Sequence, residues 1–115
     1  MDNNEGFNKL ARLNFEDFIW SIFIIIGILN ICGDYCEKVY IKTYDDSLKN
    51  RANNIFSITV IITFFIYIYF FTRNYNDYKT CSNENRHLFL IRLLGSCFLI
   101  AGSLCLIYCQ FNKKI

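Results

Sequence analysis

The sequence predicts an all-α integral membrane protein, a small antiparallel bundle of three transmembrane helices. Hydrophobic residues make up 54% of the 115 residues, they are massed in three blocks, and proline is absent. A soluble domain would distribute its apolar residues periodically along helices or strands, so this massing excludes an ordinary soluble globule. The high apolar content also excludes the collagen-like and disordered classes.

The whole chain, residues 1–115, is predicted to form one membrane domain. We place the spans at about residues 18–34, 55–72 and 88–109, with polar loops at 35–54 and 73–87. The second and third blocks are about as long as the hydrocarbon core, which is about 30 Å thick. They should be helical because a helix satisfies its own backbone groups in lipid, whereas barrel strands would show alternating polarity.

The first block is short, and its end can be interpreted in two ways. We favour Asp34 as the residue that ends the span at the headgroup level, with Gly33 breaking the helix. In the alternative, the helix continues to Ile41 and Asp34 is partly submerged. An ionisable residue inside a span is costly, so Asp34 would then be the best candidate for a proton or cation site.

A signal peptide is the rival interpretation of the first block. Lys9 and Arg12 could form its basic region. However, Glu16 and Asp17 stand where positive charge is required, and no small-residue cleavage motif follows the block. We therefore expect the first block to be retained as a span.

Polar residues in and beside the spans could make intramembrane contacts. Arg92 is the one charge inside the third block, and its long side chain can reach the interface beside residues 73–87. An ion or substrate contact is the alternative role for Arg92. Ser96 and Ser103 fall on the same side of the helix, which predicts a polar stripe facing the bundle. Further candidates near the first span are Asn30, Asp34, Glu16 and Asp17, of which Glu16 or Asp17 is the expected partner of Arg92.

Small residues form a second, wider face on the third span. The members of this face are Gly95, Cys97, Ala101, Gly102, Cys105 and Cys109. Small residues on one ridge allow two helix backbones to approach closely. We slightly favour packing within the chain, and an oligomer interface is the alternative.

No residue pattern indicates an enzyme, a cofactor or a metal. The six cysteines contain no C-x-x-C motif, and His87 is the one histidine, so convergent metal ligands are not expected. The net charge of +2 is spread over both signs along the polar segments and forms no basic stripe for nucleic acid. The expected partners are the lipid bilayer and another membrane protein or a second copy of this chain.

The sequence thus favours a small accessory or interaction protein of the membrane. The alternative is a pore or permease-type subunit, because in size and number of spans the chain resembles the holins, which permeabilise bacterial membranes by oligomerising. Lys and Arg are nearly balanced between the two sides, so no orientation is assigned. The bias towards Ile, Asn, Phe, Tyr and Lys is typical of an AT-rich bacterial genome, which indicates the bacterial plasma membrane.

Overall fold

The structure, a computed structural model, describes residues 3–113 of the chain, with side chains from residue 6. It contains three α-helices, α1 (Asn3–Thr43), α2 (Asp46–Thr80) and α3 (Arg86–Asn112), and a 3-10 turn at Asn83–Asn85. Residues 3–113 contain no strand, which confirms the all-α prediction. The chain divides into two compact units, Met1–Ala52 and Asn53–Ile115, so that α3 and most of α2 belong to the second unit.

All three helices are long and apolar enough to cross a membrane. Their most apolar windows have a mean hydropathy of 1.9 in α1 and 2.2 in both α2 and α3. At about 1.5 Å per residue the helices are roughly 60, 50 and 40 Å long, which exceeds a hydrocarbon core of about 30 Å. Each helix therefore continues beyond its apolar block into polar sequence.

The polar segments predicted as loops are largely helical. Most of residues 35–54 and 73–87 lie in α1, α2 or α3. Side-chain pairs four residues apart contribute to this at the end of α2, where Arg73 Nε lies 4.0 Å from Asp77 Oδ2 and Lys79 Nζ lies 5.2 Å from the centre of the Tyr75 ring. Such pairs stabilise a helix that contains no proline.

The first helix passes through Gly33 without interruption. The interpretation that Gly33 breaks this helix is wrong, because α1 continues to Thr43 and includes Ile41. Glycine in a helix interior costs only about 1 kcal/mol relative to alanine.

The connection between α1 and α2 is a two-residue turn. Tyr44 takes a left-handed conformation (φ 57°), and its N–H donates to the carbonyl of Tyr40 at 2.6 Å. Asp45 then caps α2, since its Oδ1 accepts hydrogen bonds from the Ser47 N–H at 3.0 Å and from the Ser47 hydroxyl at 2.8 Å. An aspartate that accepts a hydrogen bond from the second residue of a helix is a typical N-cap. It fixes the start of α2.

Candidate functional site

Helix α3 has an inner face that packs within the second unit. Its buried and half-buried residues recur at alternating intervals of three and four positions: Phe89, Leu93, Ser96, Ile100, Ser103, Ile107 and Gln110. This seven-residue repeat is the geometry of left-handed helix pairs. Ser103 is 3% exposed and Ser96 is 5% exposed, so the most buried positions of this face are small polar residues.

A polar contact joins α2 and α3 near the Asn83–Asn85 turn. The buried Asn74 donates from its Nδ2 to the hydroxyl oxygen of Ser96. The Ser96 hydroxyl in turn donates to the Arg92 carbonyl of its own helix at 3.2 Å. Each donor therefore finds an acceptor, as buried polar groups require.

A second polar cluster joins the opposite ends of these two helices. Gln110 Nε2 lies within donating distance of three acceptors on α2: Asn53 Oδ1 at 2.7 Å, Ser57 Oγ at 3.1 Å and the Asn53 carbonyl at 3.2 Å. Together with the Asn74–Ser96 contact, this cluster establishes that α2 and α3 run antiparallel. Sequence reasoning missed Gln110, although it stands seven residues after Ser103 and fourteen after Ser96.

Replacing Gln110 with Leu is expected to lower the free energy of unfolding by about 1 to 2 kcal/mol, because three acceptors on α2 lose their shared donor. Asn112→Leu is the matched control, since the Asn112 amide donates only along its own helix, to the Tyr108 carbonyl at 2.8 Å. Unfolding in bicelles by increasing SDS measures both variants. An equal loss in the two variants would contradict the role of Gln110.

The small-residue face of α3 points away from the inner face. All six of its members are exposed: Gly95, Cys97, Ala101, Gly102, Cys105 and Cys109. At about 100° per residue, the centre of this outer face lies about 180° from Ser96 and Ser103. A Cβ placed on Gly95 or Gly102 would meet nothing within 4 Å. The six residues thus do not take part in the packed inner face, and both their packing against α1 and their role in oligomerisation stay predictions.

The predicted stripe of Arg92, Ser96 and Ser103 divides in the structure. The two serines are buried, whereas Arg92 is exposed and its guanidinium lies 5.1 Å from the centre of the Phe89 ring. A guanidinium over an aromatic face gains a cation–π attraction, and here the pair is three residues apart on one helix. The pairing of Arg92 with Glu16 or Asp17 stays a prediction.

The candidate polar residues of α1 have different environments. Glu16 is 7% exposed and its Oε1 lies 3.4 Å from Arg12 Nε, one turn earlier. Asp17 and Asp34 are exposed, and Asn30 is half-buried. The role of Asp34 as a proton or cation site stays a prediction.

The buried side of α1 contains both apolar and polar residues. Ile19, Ile26 and Gly33 are buried at seven-residue intervals, and the buried Glu16 and half-buried Asn30 fall on the same face at spacings of three or four residues. Two of the four polar candidates therefore share the buried face, whereas Asp17 and Asp34 do not.

The cysteines are all unpaired, and those of α3 are exposed. Within the described part of the chain, no group of three His, Cys, Asp or Glu side chains is placed to hold a metal ion. On the outer face of α3 the cysteines act as small apolar residues. The outer face of α3 and the two polar contacts of its inner face are the candidate functional features of the chain.

Together these features define an all-helical protein with three helices of membrane-spanning length and a two-faced third helix. The chain matches no family model, no curated protein and no solved structure.

Proposed function

We propose that the chain is a small interaction protein of the bacterial plasma membrane, folded as an antiparallel three-helix bundle, that binds a partner helix through the outer face of α3. The observation that carries this proposal is the exposure of all six small residues of that face. The inner face of the same helix is already occupied by its contacts with α2. The outer face is thus available to another molecule.

The chemistry of the outer face favours a helix as the partner. Lipid tails are as apolar as leucine, so membrane helices gain little from hydrophobicity when they associate. They gain from close van der Waals packing, which small residues permit. The sequence from Gly95 to Cys109 offers such residues over about four helical turns. None of these six side chains is charged or strongly polar, so none of them would need a polar partner in the interface.

A second copy of this chain fits the outer face best. Phe98 lies on this face and is 75% exposed, with Gly95 on one side and Ala101 and Gly102 on the other. A large side chain next to small ones is self-complementary, because Phe98 of one copy can fill the gap over Ala101 and Gly102 of the other. A twofold interface uses one patch on both copies in this way. The interaction that we propose is therefore self-association of this chain.

The burial of the two serines favours this function over a pore. A water-filled pore formed by α3 needs polar residues facing the lumen. Ser96 and Ser103 are the serines of this helix, and both are buried in the monomer. The outer face that remains for contacts between copies is apolar.

The test is association of copies in lipid. Full-length protein labelled with donor or acceptor dyes is reconstituted in vesicles, and energy transfer is followed as lipid dilutes the protein. We expect transfer that persists at dilutions where a non-associating membrane protein shows none, and vesicles that retain an entrapped dye. Transfer equal to that of the non-associating control would contradict self-association, and release of the dye would favour the pore.

A further inference from the structure

An open groove of about 500 Å³ lies where the end of α3 meets α2. Its polar wall includes Asn53, Asn54 and Lys113, and its apolar wall includes Ile58, Ile61 and Phe111. This volume is within the range of small-molecule sites. The groove is separate from the outer face of α3, so a ligand could occupy it whether or not the chain self-associates.

We propose that this groove binds one anionic phospholipid, with the phosphate beside Lys113 and an acyl chain along Ile58 and Ile61. Both halves of such a ligand find their counterpart in the groove. A lysine ammonium is a point charge that attracts phosphate, and amide N–H groups donate to phosphate oxygens. Branched aliphatic side chains provide the surface that an acyl chain contacts.

The polar wall holds donors that face outward. Gln110 Nε2 donates to Asn53 Oδ1 at 2.7 Å, so the oxygen of the Asn53 amide is already used. The Nδ2 group of the same amide can still donate to a ligand. In the described part of the structure, neither the Asn54 amide nor the Lys113 ammonium donates a hydrogen bond to the protein. The wall thus presents positive charge and N–H groups but no carboxylate.

The groove lies at the level along the helices where the headgroup and the upper acyl chain of a lipid would lie. Asn53 and Lys113 stand just outside the apolar blocks at residues 55–72 and 88–109, whereas Ile58 and Ile61 stand inside the first of these. From residue 53 to residue 61 a helix rises about 12 Å, which carries the groove from the headgroup region into the hydrocarbon. Ile58 and Phe111 are each more than half exposed, so a chain of lipid can reach them.

The test measures lipid binding to the full chain by native mass spectrometry in detergent. Phosphatidylglycerol and phosphatidylcholine, which differ in net charge, are titrated separately. We expect the wild type to bind phosphatidylglycerol more tightly, and Lys113→Ala to weaken that binding about fivefold. The same substitution should weaken phosphatidylcholine binding less, because the choline ammonium already neutralises the phosphate of that lipid. Lys42→Ala removes the same charge from the exposed last turn of α1 and should have no effect.

Two further measurements distinguish the contribution of the headgroup to binding from that of the acyl chain. Ile61→Ser is expected to weaken binding of both lipids, because it makes the apolar wall polar. Glycerophosphate, which has no acyl chain, should not displace the bound phospholipid. Equal affinity of the wild type for the two lipids, equal effects of Lys113→Ala and Lys42→Ala, or displacement by glycerophosphate would each overturn the proposal.

Discussion

Replacing Gly102 with Leu is expected to weaken the association of copies in lipid at least about tenfold, which corresponds to about 1.4 kcal/mol. The added side chain would fill the gap beside Phe98 and push the partner backbone away. The monomer should be unaffected, because a Cβ on Gly102 meets nothing within 4 Å and the residue is exposed. Energy transfer between labelled copies, measured over a series of lipid dilutions, gives the change in affinity.

Gly27→Leu is the matched control for this variant. Gly27 is also an exposed glycine inside a candidate span, and its Cβ position is equally open. It lies on α1, outside the outer face of α3, so its substitution should leave association unchanged. Equal effects of the two substitutions, or no effect of Gly102→Leu, would contradict an interface on the outer face.

Replacing Ser103 with Leu is expected to lower the free energy of unfolding by about 1 to 3 kcal/mol, the usual cost of forcing extra volume into a packed contact. Ser103 is 3% exposed, and its hydroxyl donates to the Ile100 carbonyl of its own helix at 2.8 Å. A leucine cannot fit at this point of the inner face without separating α3 from its neighbours. Unfolding in bicelles by SDS measures the loss.

Cys105→Leu is the matched control for Ser103→Leu. Cys105 is two residues away on the same helix, but it belongs to the exposed outer face. Its substitution should leave the free energy of unfolding within about 0.5 kcal/mol of the wild type. If Cys105→Leu proves as destabilising as Ser103→Leu, the two faces have been assigned wrongly.

The sequence predicted the helices well and their ends poorly, for a physical reason. Uninterrupted apolar blocks identify the helical spans because lipid allows few other structures. The polar ends carry no such signal, and their helicity comes from local pairs such as Arg73 with Asp77 and from the absence of proline. The tight turn at Tyr44 and Asp45 was missed because it contains neither glycine nor proline.

For the candidate site, the sequence located both faces of α3 but not their roles. Helical spacing alone separates Ser96 and Ser103 from the small residues around Cys105. It does not say which face meets α2, because small residues suit contacts within a chain as well as between chains. The deciding information is three-dimensional: Asn74 and Asn53 reach α3 only on the inner face.

An interaction through the outer face of α3 can be tested by disulfide formation between copies that each carry one cysteine on this helix. Positions 96 to 109 are taken in turn, in a chain whose other cysteines are replaced by alanine, and oxidation is performed in the membrane. We expect the highest yields of crosslinked dimer at positions 97, 101, 105 and 109, and the lowest at Ser96, Ile100 and Ser103 of the inner face. Yields that are uniform along α3, or highest at the inner positions, would contradict an interaction through the outer face.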